Sequence, residues 1–169
     1  MRLRGDEGYF AEKVTIPDPE GGEQTFCIRE FDDGELKTYD ERTVVLGKLE
    51  DEISAILNKR LTDLKPVKIG DQMIPMPQPL TEDAAKRLQE AANERLTKLK
   101  SLNTWACQRC LVDWSLTHTV GGEEQKREVT SENIAGLPDA VQETLRRRIA
   151  QISTLTEDEA GFLPPSPNG

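Results

Sequence analysis

The sequence predicts a mainly α fold with a small N-terminal β-hairpin, an α+β chain of two long helices and a short C-terminal helical subdomain. Three observations predict it. Apolar residues recur at three- and four-residue steps across 38–65 and again across 81–115. Two β-prone runs flank Gly21-Gly22 near the N-terminus. A third periodic stretch, 137–152, begins beside Pro138. The expected organisation is a flexible arm at 1–13, one mostly helical domain at 14–152 and a disordered acidic, proline-rich tail at 153–169. The hairpin of that domain occupies 14–31.

In the hairpin, Val14 and Ile16 alternate with Thr15, and Thr25 to Arg29 form the return. Pro17 falls at a strand end, where its missing N–H does little harm. The first long helix has Thr38 or Asp40 as its expected cap. Its stripe is Val45, Leu46, Leu49, Ile53, Ile56, Leu57, Leu61 and Leu64, and Pro66 is expected to end it. Gly47 interrupts it at a cost of about 1 kcal/mol. The stretch "PVKIGDQMIPMPQPL" reads as a short hairpin or an extended loop, and its prolines argue against a central strand.

Thr81 is the expected cap of the second long helix, with Glu82 and Asp83 suited to the N-terminal end of the dipole. Ala84 stands where a reciprocal capping box would need Glu or Gln. Leu88, Ala92, Leu96, Leu99 and Leu102 form its expected stripe, and the intervening charges form a solvated face. Beyond Trp114, "SLTHTVGGEEQKREVTS" reads as a β-prone piece, a glycine turn and a polar return. Ser131 is expected to cap a single turn at 132–135, which Gly136 stops. Pro138 then opens a last helix with the stripe Leu137, Val141, Leu145, Ile149 and Ile152. Arg146, Arg147 and Arg148 suit the negative end of that helix.

Composition narrows the function classes. The chain has 169 residues, of which 31% are charged and 5% aromatic, and its net charge is −9. An acidic surface opposes phosphate backbones and anionic membranes, so neither nucleic acid nor a membrane is an expected partner. No run approaches the roughly 18 apolar residues of a span. "MRLRGDEGYFAEK" has no apolar segment of the kind a secretory signal carries. Three cysteines in such a chain predict free thiols and a reducing compartment.

The chemistry that remains to be weighed lies in "SLNTWACQRCLVDWSLTHTVGG". A zinc site would need Cys107, Cys110, His118 and a fourth group such as Cys27. A redox pair would need its CxxC at a helix N-terminus, which lowers a thiol pKa. This CxxC lies deep in a predicted helix, and the stretch becomes apolar on every side. The expectation is therefore a helix entering a core or interface, with no metal, no cofactor and no catalytic residue. No carboxylate pairs with an obvious base, so a hydrolase finds no support.

Read from residue 112, "VDWSLTHTVGGEEQKREVTSENIAGLPDAVQETLRRRI" resembles the C-terminal half of phage tail assembly chaperones. The matching residues are Trp114, Leu116, Gly121, Gly122, Val129, Thr130, Asn133, Ile134, Leu137 and Pro138. "IPDPEGGEQTFCIREF" is similar to the opening hairpin of that family. The resemblance spans about 40 residues well and about 20 more loosely. The turn here is longer and more charged than the pattern, and the helix before Trp114 and the prolines at 75, 77 and 79 match nothing in it. The resemblance implies a non-enzymatic protein that binds tail tube or tape measure subunits in the host cytoplasm and is absent from the finished particle. The alternative is a structural virion protein of the tail, connector or capsid periphery. The residues expected at a partner surface are Trp105, Trp114, Leu116, Ile134, Leu137, Phe162 and Leu163. Homo-oligomerisation stays open.

Overall fold

The structure is a computed structural model that describes residues 3–4, 10–18, 22–120 and 123–154. The elements in order are β1 (Leu3–Arg4), β2 (Phe10–Pro17), β3 (Glu23–Arg29), α1 (Asp33–Thr62), β4 (Leu64–Ile69), β5 (Gln72–Pro77), α2 (Glu82–Cys110), β6 (Leu111–Trp114), β7 (Thr117–Val120), β8 (Glu123–Lys126), α3 (Ser131–Ala135) and α4 (Asp139–Ser153). The chain divides into two compact units, one of residues 1–39 and 100–169, the other of residues 40–99. The second is called the arm below.

This arrangement corrects the mainly helical fold with a small hairpin and a separate C-terminal helical piece. The hairpin is part of a four-stranded antiparallel sheet in the order β1-β2-β3-β6. Its last strand comes from the middle of the chain. The C-terminal helices belong to the same unit as the N-terminal strands. Two further two-stranded sheets, β4-β5 and β7-β8, bring the strands to eight among the described residues. Residues 10 to 13, expected in a loose arm, lie in β2. The expected tail lies outside the described residues from position 155 onward, as do Gly21, Gly121 and Gly122.

In the first unit, Phe26 and Ile28 of β3 are fully buried against α2 and α4 side chains. Phe26 pairs with Trp114 across the β3–β6 ladder, their rings edge to face with centroids 6.5 Å apart. The predicted stripe of α4 is the floor of this core: Leu137, Val141, Leu145, Ile149 and Ile152 are all buried. Helix α2 does not run to 115. It stays amphipathic to Cys110, with Gln108 and Arg109 exposed, and Leu111–Trp114 continues as β6. Leu111 and Trp114 are buried while Val112 and Asp113 are exposed, a spacing set by the register shift that leaves Val112 unpaired between the Ile28–Leu111 and Cys27–Asp113 pairs.

The cap of α1 is Asp32, not Thr38 or Asp40. The Glu35 amide donates to Asp32 Oδ1 (2.7 Å), and the Asp32 amide donates to Glu35 Oε2 (3.1 Å). This is a reciprocal capping box with aspartate as its first member. Arg29 of β3 forks onto both Glu35 oxygens at 2.8 and 2.9 Å, tying the sheet to the helix start. At α2, Thr81 is the cap as expected: its Oγ1 accepts from the Ala84 amide at 3.2 Å. At α3 the cap is Thr130, whose hydroxyl accepts from the Asn133 amide (3.2 Å), rather than Ser131.

In the arm, α1 ends at Thr62 and β4 starts before Pro66, so Pro66 lies in a strand rather than stopping a helix. β4 and β5 form the hairpin reading of 64–77. Gly70 supplies the turn with φ +63°. The Glu50 carboxylate takes the Arg95 guanidinium, and Ile56 and Lys59 line one groove with Ala84 and Arg87, so the two helical segments run antiparallel.

Candidate partner-binding surface

The CxxC is structural. Cys107 and Cys110 are fully buried, and their thiols donate to backbone carbonyls, Cys107 to Gln142 (3.6 Å) and Cys110 to Glu30 (3.7 Å). Burial pushes the Cys107 thiol up to about 12, against a smaller lowering by Arg146. Burial raises Cys110 as well. A neutral, enclosed thiol is a poor nucleophile at neutral pH. Cys27 is half-buried on β3, and burial followed by the Asp113 charge raises it too. The three cysteines form no disulfide. Among the described residues, no three His, Cys, Asp or Glu side chains converge as a metal site. The backbone of His118 lies in β7, opposite Gln125.

Most of the residues expected at a partner surface instead build the core. Trp114, Ile134 and Leu137 are buried, and Trp114 Nε1 donates to the Arg127 carbonyl at 2.5 Å. Trp105 and Leu116 are half-buried and pack on the same cluster, Trp105 stacking on Phe31 at 5.5 Å. Phe162 and Leu163 lie outside the described residues. The "VTSEN" stretch also has a structural role. Asn133 donates to the Glu128 carbonyl (2.9 Å) and accepts from Arg127 Nε (3.0 Å), locking the turn that carries Thr130.

The three arginines of α4 do not serve its C-terminal end. Each has its own partner. Arg146 donates to buried Asn103 (2.7 Å) and to the Tyr39 hydroxyl (2.8 Å). Arg147 holds Glu143, one turn back on the exposed face. Arg148 reaches across to Glu12 of β2 at 2.6 and 3.0 Å, in a pair whose side chains are 23% and 12% exposed. Both bonds fall on Oε1, leaving Glu12 Oε2 buried without a partner.

Two grooves are open to solvent. One, of about 480 Å³, lies in the first unit beside Lys13, Cys27, Asp113 and Lys126. There the Lys126 ammonium is 2.7 Å from Asp113, and its hydrogen bond holds that carboxyl below the usual range. The other, of about 740 Å³, lies in the arm between Ile56, Arg60, Leu80 and Arg87. The first sets the Cys27 thiol beside Asp113, whose carboxylate is taken by Lys126.

What the sequence did not mark is the exposure of the arm. Among the described residues, eleven of the twelve exposed large apolar side chains lie in it, the other being Val112. Leu61 and Met73 are each 61% exposed, Val44 58% and Ile69 53%. No residue of α1 is buried. On α2 the inward stripe is Leu88, Ala91, Arg95 and Leu99, with Leu96 and Ala92 turned outward, a correction to the predicted face. Both faces of the β4–β5 hairpin are open. Its register puts Val67, Ile69, Ile74 and Met76 on one face, and Leu64, Pro66, Met73 and Pro75 on the other. An isolated two-stranded hairpin is marginal in water, and apolar patches of this kind mark contact sites.

A scan against protein-family models, a search of curated proteins and a search of solved structures find no match to this chain. Among the described residues no helix is long and apolar enough to cross a membrane.

Proposed function

We propose that this chain is a non-enzymatic assembly factor of the phage tail chaperone type. It holds tail tube or tape measure subunits in the host cytoplasm through its arm. The observation that carries the reading is the concentration of exposed apolar side chains in residues 40–99, a segment with Ala91 as its one buried residue. A surface of that composition shields another polypeptide's apolar segment by covering it. The sequence resemblance at 112–149 supplies the class of client.

Co-expression with a tail tube or tape measure subunit tests it. The expected result is a soluble complex lost when Met73 and Met76 are both changed to Asp, together with absence of the chain from purified particles by mass spectrometry. Abundant peptides in mature particles would replace this reading with the structural virion protein.

A further inference from the structure

The arm's helix pair is half of a bundle. Leu46, Leu49, Ile53 and Ile56 of α1 are half-buried, and none is enclosed. Two antiparallel helices cover each other's stripe from one side only, and four helices give such stripes an interior. The exposed apolar side chains divide between the helices and the hairpin, and Val44, Val45, Leu57, Leu61 and Leu96, at 38 to 61% exposure each, are those a second helix pair can cover.

Charge says what covers it and in which direction. Residues 40–99 hold eleven Asp and Glu against ten Lys and Arg, so only −1 of the net −9 falls in the arm. The remaining −8 opposes association of copies through the rest of the chain. Within the arm the charge is polar. The base, 40–52 with 90–99, carries −3, and the tip, 53–89, carries +2. Two copies laid parallel set like charge on like. Laid antiparallel, each tip meets the opposite base, and the contact is self-complementary about a two-fold axis.

Of the hairpin's two edges, β5 is the one closed to strand addition, while β4 keeps the outward N–H groups of Leu64 and Lys68 on either side of Pro66. A two-residue turn makes Ile69–Gln72 a hydrogen-bonded pair, so the N–H groups of 73, 75 and 77 point outward from β5. Two of those three positions are Pro75 and Pro77, which have no N–H to offer.

We propose that, with no other chain bound, the arms of two copies pack antiparallel as a four-helix bundle, tip of one against base of the other. The proposal stands independently of the tail-chaperone reading.

Light scattering on the full chain at about 100 µM, a concentration that populates even a weak dimer, reads the mass. Twice 19.0 kDa is expected, and a mass of one chain overturns the proposal, including a monomer whose arm is covered only when an apolar partner peptide is added. Leu57→Arg with Leu61→Arg should weaken the dimer about tenfold or more. Unchanged fluorescence of Trp105 and Trp114 shows that the other unit is intact, and an unchanged dimer contradicts the account. Orientation is read by a charge swap. Asp51→Lys with Glu52→Lys should weaken the dimer, and adding Lys65→Glu with Lys68→Glu should restore it. Zero-length cross-linking of a ¹⁴N/¹⁵N mixture provides a second measurement. Mixed-isotope links should join Lys65 or Lys68 to Asp51 or Glu52. Failure of the swap to restore the dimer, or mixed links confined to tip with tip, removes the antiparallel arrangement.

Discussion

The two units solve the same problem differently. In residues 1–39 and 100–154, two strands, a helix end and α4 meet around Phe26, Ile28, Leu145 and Ile149, none of which shows any surface. In residues 40–99 two helices carry stripes of similar periodicity and enclose almost nothing: Ala91 alone is buried. Each stripe in the first unit meets a sheet or a second helix layer, whereas each stripe in the arm meets one neighbour. The second layer, more than the pattern, turns an amphipathic stripe into a core.

The largest effect expected from breaking this contrast is at Trp114. Trp114→Ala removes the partner of Phe26 and leaves the Arg127 carbonyl without its donor, and it should cost about 3–5 kcal/mol in chemical denaturation. Leu61→Ala on the arm should cost under about 0.5 kcal/mol under dilute conditions, as for a surface position. Next is Glu12→Ala, which strands Arg148 at a largely covered site. A loss of about 2 kcal/mol in the same assay is expected, and less for Glu12→Gln, which keeps an acceptor for the guanidinium.

Asp32→Ala removes the capping box and should cost about 1 kcal/mol. Amide exchange should show the loss as opening of the first turn of α1, with α4 unaffected. A further effect is alkaline. Burial raises the Cys107 thiol from 9.0 to about 12, so the folded state keeps a proton that the unfolded chain releases. That contribution is whole below pH 9 and is lost as pH rises through about 12. Denaturation midpoints should fall over that window, and more gently in Cys107→Ala.

The sequence was most legible where periodicity and punctuation agree. Pro138 and the steps from Leu137 to Ile152 place α4 correctly because one face of a single helix is buried throughout. Thr81 and Gly136 mark boundaries for the same local reasons. Leu111–Trp114 was read as helix because four apolar-rich residues after a helix carry no period of their own, and only pairing with β3 makes them a strand. The cap at Asp32 was readable as an Asp-x-x-Glu signal, but the apolar steps further on drew the helix start downstream. Arg146 and Arg148 were assigned to a dipole because their partners, Asn103, Tyr39 and Glu12, lie 43 to 136 residues away. The exposure of the arm was invisible for a deeper reason. A heptad-like stripe looks the same whether its second layer comes from this chain or from another.

Amide hydrogen exchange on the full chain, followed by peptide at dilute and at concentrated protein, tests the central claim most directly, namely that one unit is complete and the arm is completed by another chain. The account predicts that residues 102–114 and 141–152 are strongly protected at every concentration, while 44–61 and 64–77 exchange quickly when dilute and gain protection as concentration rises. Protection of the arm equal to that of the core at every concentration, in a protein that stays monomeric, would contradict it.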